Sequence, residues 1–329
     1  MHIVLDTQGT SLLRRDHMFL VVHQDGKQSI ATRQVKTISL SRGARISSDA
    51  IMLAIEHEID VLFIDSIGQP QGRVWSHRYG SIANIRKNQV LFGRSPQAVD
   101  FVKELVIRKV ENQTSLLVAL RRKRVANEQV VQDSLVRLER IRDKIADVSA
   151  EWLPEVADTL RGLEGNASRQ YFRAVSTFLP PAYQFAKRSQ HPAHDPFNCL
   201  LNYAYGMLYG KVEGALIRAG IDPYLGLLHR NEYNRPVLVY DLIEPFRGWM
   251  DAVVINLCCQ EALLPEFFSV NKGAYWLQGD GKRVIIQSVQ DYLDEVIVWR
   301  ELKRSRHTHV DLYAQDLAQK FKQAYPNTL

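Results

Sequence analysis

The chain has 329 residues, 46% of them hydrophobic and 24% charged, which is enough to bury one large core or two smaller ones. Its formal charge is +6, its composition is ordinary for a globular protein, and no apolar run approaches the roughly 20 residues that span a bilayer, so no membrane-spanning helix is expected. Cys199, Cys258 and Cys259 fit neither a disulfide framework nor zinc spacing, and the N-terminus shows no basic stretch followed by an apolar one; both features suit a reducing cytoplasm.

The first 90 or so residues read as β-rich. Short β-branched and aromatic runs alternate with turn signals through residues 2–41, and Asp25-Gly26, between FLVVH and KQSIAT, marks a hairpin. SSDAIMLAIEHEID has helical periodicity, with Ser47, Ser48 or Asp49 available as N-cap. VLFIDS then reads as a strand, and IGQPQGRVW as a turn into another. After about residue 95 the period changes. SPQAVDFVKELVIRKVENQTSLLVALRRKR spaces its apolar residues by three and four, and Ser95-Pro96 supplies a cap and a first turn. Helical patterns follow over 127–148, 150–162, 164–178, 196–219, 241–256 and 287–304, with a small hairpin expected around Gly279-Asp280-Gly281. The expected fold is α+β: a small N-terminal β-rich domain, residues 1–90, followed by a larger, mostly α-helical domain, residues 91–329, with the boundary in IRKNQVLFGRS.

Charge is unevenly placed. Residues 1–190 carry 28 Lys/Arg against 20 Asp/Glu, and residues 191–329 carry 14 against 16. The basic excess therefore lies outside the segment that holds His229, Asp241 and Glu244. A basic surface beside an acidic pocket suits a polyanion held by one and worked on at the other. The densest run is Arg121-Arg122-Lys123-Arg124, and Arg137, Arg140 and Lys144 continue it at helical spacing. That stripe reads either as a phosphate-contacting face or as a solvated helix surface.

Glu164 in LEGNASRQYF, His229 at the end of AGIDPYLGLLH, and Asp241 and Glu244 in VYDLIEPF are candidate ligands for a divalent cation. Two carboxylates and an imidazole around such an ion are a common apparatus for phosphodiester chemistry. Asp241 and Glu244, three apart, share a face if DLIEPF starts a helix after a strand-like PVLVY. First-turn carboxylates that stabilise a helix dipole are the alternative for these two, and a cap or core position is the alternative for His229. Arg247, six residues after Asp241, is placed to meet a scissile phosphate or a neighbouring carboxylate.

LRGLEGNASRQYF, NCLLNYAYGMLYGKVEGALIRAGIDPYLGLLH and RPVLVYDLIEPFR together closely resemble the CRISPR-associated integrase of spacer acquisition, the larger of the two universal adaptation proteins. RISSDAIMLAIEHEIDVLFIDSIGQPQGRV resembles the helix and strands that close that family's β domain. The resemblance implies a β domain that forms a homodimer and a helical catalytic domain that binds Mg²⁺ or Mn²⁺. It puts the metal-binding glutamate, histidine and aspartate at Glu164, His229 and Asp241, with a further acidic position at Glu244 that sits outside the ion's direct ligands or joins them occasionally. It implies a small ferredoxin-like partner. It also implies double-stranded DNA, both spacer precursor and CRISPR repeat, as substrate for metal-dependent transesterification or hydrolysis. Arg121, Arg122, Arg137, Arg140 and Arg247 are the candidate DNA contacts. A related transposon-type integrase, or a structural DNA-binding subunit without catalysis, are the competing functions.

Overall fold

A computed structural model describes residues 1–65, 68, 70–74, 83–123, 127–229 and 235–324. The chain divides into two compact units, Met1–Gly80 and Ser81–Leu329.

The first unit holds β1 (His2–Leu5), β2 (Ser11–Arg15), β3 (Met18–His23), β4 (Gly26–Ala31), β5 (Thr37–Leu40), β6 (Arg45–Ile46), α1 (Ser48–Glu56), β7 (Asp60–Ile64) and β8 (Pro70–Arg73). They form two four-stranded sheets, ordered β1-β5-β7-β8 and β4-β3-β2-β6. In the first, β1, β5 and β7 run parallel and β8 returns antiparallel. The β3–β4 hairpin pairs His23 with Gly26, which places the expected turn at Gln24-Asp25. Ser47 caps α1 by accepting the Ala50 amide at 3.2 Å. Leu12, Phe19, Ile38 and Leu53 are fully buried at the centre of this unit.

The second unit is helical: α2 (Ala83–Phe92), α3 (Pro96–Arg121), α4 (Glu128–Ala146), α5 (Leu153–Ser176), α6 (Pro196–Arg218), α7 (Val237–Leu242), α8 (Arg247–Cys259), α9 (Gly279–Asp294) and α10 (Arg306–Ala324). Two hairpins interrupt it, β9 (Phe268–Asn271) with β10 (Ala274–Leu277) and β11 (Val296–Trp299) with β12 (Leu302–Ser305). The central helix is α6, buried on nearly every face and packed against α7, α8, α9 and α10. Gly206, Gly210 and Gly214 are buried at four-residue spacing along one face of it.

Several elements differ from the expectation. The units divide ten residues before the expected boundary, because IRKNQVLF forms α2 and joins the helical core. Asn88 Nδ2 donates to the Phe321 carbonyl at 3.0 Å, and the Phe92 ring lies 5.1 Å from that of Phe321. Ser95 precedes α3 without capping it; its hydroxyl donates back to the Phe92 carbonyl at 2.7 Å. Gly162 and Gly165 do not divide two helices. They lie inside the single helix α5, whose buried face runs from Leu153 to Val175 and outweighs the cost of two glycines. Gly279-Asp280-Gly281 opens α9 instead of turning a hairpin; the turn is at Lys272-Gly273, both with positive φ. The helical pattern over 287–304 is the end of α9 followed by the β11–β12 hairpin.

Candidate active site

Helix α3 carries the unexpected member of the site. Its buried stripe includes Val102, Leu105, Val106, Val110, Gln113 and Leu117, and Lys109 falls within that stripe. A buried ammonium needs anionic partners, and two come from separate elements. Glu164 reaches it from α5 as a short ion pair, and Glu244 Oε2 lies 2.6 Å from Lys109 Nζ. Ser168, one turn beyond Glu164, donates to its Oε1 at 3.1 Å.

The segment after α6 builds the other half. PVLVYDL is helical instead of strand-like: α7 buries Val237, Leu238, Val239 and Leu242. Pro245 has no amide to continue the helix, and a 3-10 turn over Glu244–Phe246 joins α7 to α8. Asn112 of α3 donates to the Pro245 carbonyl at 2.8 Å and fixes this turn. The turn sends Asp241 and Glu244 to different partners. Asp241 Oδ2 accepts the amides of Leu227 and Leu228 at 2.7 and 3.1 Å. Its Oδ1 accepts the His229 amide at 3.0 Å and His229 Nδ1–H at 2.6 Å. Three consecutive amides thus converge on one carboxylate, an anion-binding nest. Four donors fill about the four acceptor positions a carboxylate offers. Gly226 is required beside it, because a Cβ there would lie 2.7 Å from Val237 Cγ2 and 3.0 Å from the His229 carbonyl. Arg161 of α5 donates to the Leu228 carbonyl and ties the loop to the helix that carries Glu164.

Arg247 opens α8. Its Nε donates to Glu244 Oε1 at 2.9 Å and its Nη2 to the Tyr209 hydroxyl at 3.0 Å, and its guanidinium lies 4.6 Å from the Tyr205 ring centroid. Tyr240 packs edge-on against both Tyr209 and His229. The groups form one electrostatic cluster. Burial alone pulls the Lys109 ammonium down, but Glu244 and Glu164 hold it above its ordinary value. Burial pushes Glu164 up, and the Lys109 charge and hydrogen bond overcome it, so the carboxyl titrates below the usual range. Burial lowers His229, and the hydrogen bond and charge of Asp241, with Glu244 behind them, raise it above the ordinary imidazole value. With Nδ1–H committed to Asp241, Nε2 is the ring nitrogen left with a lone pair, on a side chain 38% exposed.

The structure brings the expected residues into one cluster with an internal order of its own. Among the described residues, neither Asp241 nor Glu244 joins Glu164 and His229 in a set whose ligand atoms all lie within 4.8 Å of one another. Asp241 is turned to the loop amides, and Lys109 stands between Glu164 and Glu244. The basic stripe is elsewhere. Helix α4 buries Val131, Ser134, Leu138, Ile141 and Ile145 and exposes Arg137, Arg140 and Lys144 on the other side. Arg121 and Arg122 lie exposed at the end of α3; Arg121 pairs with Glu128, and Arg137 donates to Gln170 at 3.2 Å. Arg124 lies outside the described residues. Lys109, Ser168, Tyr209, Tyr240 and the loop amides were not among the expected residues. Only Lys109 left a signal, as a charge on the apolar face of a helix.

The profile of the family described as CRISPR associated protein Cas1 matches residues 3–291. The chain belongs to the Cas1 family. A CRISPR-associated endonuclease Cas1 from Archaeoglobus fulgidus is 31% identical over 96% of the chain and 95% of its own length. A Cas1 endonuclease from Rhodospirillum rubrum is 28% identical over 93% of the chain and 87% of its own length. Among solved structures, a Cas1 protein from Thermotoga maritima has the same fold, with a TM-score of 0.81 at 19% identity over 98% of the chain and 97% of its own. A casposase bound to integration product also has a TM-score of 0.81 at 19% identity, over 98% of the chain and 91% of its own. The β-rich unit followed by a mostly helical one is therefore the Cas1 arrangement. No helix among the described residues is long and apolar enough to cross a membrane.

Proposed function

We propose that this Cas1 protein is a metal-dependent DNA integrase and endonuclease of CRISPR adaptation, which joins short DNA into a CRISPR array by transesterification. The observation that carries this reading is the convergence of Glu164 and Glu244, from α5 and the turn before α8, on a single cationic position, with His229 in the same charge cluster. Two carboxylates already sharing one cationic position suit Mg²⁺ or Mn²⁺, and His229 Nε2 would join them by a movement of its ring, since the three ligand atoms do not all lie within 4.8 Å of one another. The ion would be held by Glu164, Glu244 and His229 Nε2. Asp241 then acts through the ring instead of as a ligand: its oxygens are filled, and it fixes the His229 tautomer and orientation, as carboxylates behind ligating histidines do. When bound, the ion supplies Lewis-acid polarisation of the scissile phosphoryl oxygen. Arg247, pinned by Glu244 and Tyr209, presents a fixed positive charge for a phosphate oxygen. The attacking 3′-hydroxyl and the leaving oxygen come from DNA; with water in place of the hydroxyl the same site hydrolyses.

Double-stranded DNA is the proposed substrate, with Arg121, Arg122, Arg137 and Arg140 as backbone contacts. The residue 1–80 unit is the proposed homodimerisation unit, and a small ferredoxin-like protein the proposed partner; a solved structure described as a Cas6-RT-Cas1–Cas2 complex supports a Cas partner. Light scattering should give about twice the 37.7 kDa chain mass. The likeness to a casposase keeps a transposon-type integrase as the second reading. Strand transfer by purified protein and the small partner into supercoiled plasmids separates the two. Insertion at a CRISPR repeat, stopped by chelation and restored by Mg²⁺ or Mn²⁺, is the expected result. Insertion of terminal-inverted-repeat ends in preference to spacer DNA favours the second reading, and no joining on either substrate contradicts both.

A further inference from the structure

We infer that Lys109 is an internal counter-cation that occupies the divalent-ion position when no metal is bound and must yield its two carboxylates for the metal to enter. The inference rests on the proposed ligand set and deepens it. The Lys109 ammonium lies against the very oxygens that set would use: Glu164 Oε1, and Glu244 Oε2 at 2.6 Å. Its side chain is 7% exposed, and it lies on the apolar stripe of α3, where its charge is poorly screened. Lys109 and Arg247 already offset the charges of Glu164 and Glu244 without an ion, and the Asp241 charge is turned to His229 and the loop amides. A divalent cation entering between the two glutamates meets two fixed positive charges and carboxylates already paired. The two cations compete for the same oxygens in a site of low dielectric, where like charges repel strongly. Lys109 would thus keep two carboxylates from repelling one another in the metal-free protein and set the metal concentration at which the site fills.

A lysine that merely staples α3 to α5 and to the turn before α8 makes the opposite prediction. Its loss would let the carboxylates drift apart and weaken metal binding. The two are separated by titrating the full-length chain with Mn²⁺ near neutral pH and reading free Mn²⁺ by its paramagnetic resonance signal. Lys109→Met and Lys109→Gln should each bind Mn²⁺ about tenfold or more tighter than wild type, because the competing charge is gone. Lys109→Arg, which keeps the charge, should not. The glutamine variant can hydrogen-bond both carboxylates and carries the test if the methionine variant fails to fold. Glu164→Gln and Glu244→Gln, run alongside, should weaken binding. Neutral Lys109 variants that bind no tighter while Glu164→Gln weakens binding would overturn this inference and leave the ligand set standing. A gain shared by Lys109→Arg would also overturn it, since shape rather than charge would be responsible. Wild-type binding by both glutamine variants of the carboxylates would place the ion elsewhere and overturn the ligand set along with the inference.

Discussion

Asp241→Asn tests the division of labour inside the site. The wild-type carboxylate is fully buried and accepts four hydrogen bonds, two on each oxygen. Asparagine keeps one oxygen and replaces the other with an NH₂ group that cannot accept. If Oδ2 is replaced, the Leu227 and Leu228 amides are orphaned; if Oδ1 is replaced, the His229 amide is, while the ring can switch tautomer and accept from the new NH₂ at Nδ1. One or two donors therefore lose their acceptor, at about 1–3 kcal/mol each, or about 1–6 kcal/mol in all. Even the lower end favours local opening roughly fivefold, since each 1.4 kcal/mol is about tenfold. Hydrogen–deuterium exchange read by mass spectrometry on peptides covering 225–229 should show the corresponding acceleration in Asp241→Asn. Glu164→Gln should leave the same amides protected, because Glu164 touches Lys109 and Ser168 and not the loop. Unchanged exchange in Asp241→Asn would refute the claim that this carboxylate holds the loop and, through it, the histidine.

Gly226→Ala should produce the same exchange signature by another route, since its Cβ has no room between Val237 and the His229 carbonyl; protection should fall and strand transfer with it. Asp311 of α10 pairs with Lys211 at 2.9 Å and Arg218 at 2.6 Å on α6, and although burial pushes its carboxyl up, those cations hold it below the ordinary value. A folded-state pKa below the unfolded one, which is about 3.9 for aspartate, adds stability that is complete above that pH and fades as pH falls through the lowered value. Asp311→Asn should therefore cost about 1–3 kcal/mol near neutral pH, and denaturant curves should show the gap to wild type closing in acid. If Arg121, Arg122, Arg137 and Arg140 touch phosphates, their quadruple alanine variant should bind duplex DNA more weakly, with a log-log salt slope shallower by about 0.9 for each phosphate left without its arginine. Unchanged affinity and slope would return the stripe to solvent.

The fold was legible where periodicity was strong and local. The β3–β4 hairpin, α1 with a cap among Ser47, Ser48 and Asp49, α4 and α6 follow from alternation, turn chemistry and apolar spacing. Boundaries were missed where tertiary packing overrode local signals. Gly162 and Gly165 read as a break, yet α5 continues because its buried face does not stop there. The domain boundary was expected in IRKNQVLFGRS, yet Asn88 and Gln89 are buried and donate to the distant carbonyls of Phe321 and Asp222, which tie α2 to the helical core. VLVY reads as a strand, since a short apolar run is ambiguous in period until something packs on it. The site residues that hold charge were visible as residue types. Their roles were not, because spacing cannot say that Asp241 meets three amides or that Lys109, inside an apolar helix face, meets two glutamates.

The central claim is that Glu164, Glu244 and His229 do the chemistry together. Single-turnover strand transfer into repeat-bearing DNA tests it most directly, using purified Glu164→Gln, Glu244→Gln and His229→Ala proteins that still melt cooperatively and bind DNA. Joining should be abolished in each, and pairing two substitutions should add little to the loss, because ligands of one ion fail as a unit. Wild-type joining by any of the three would contradict the account.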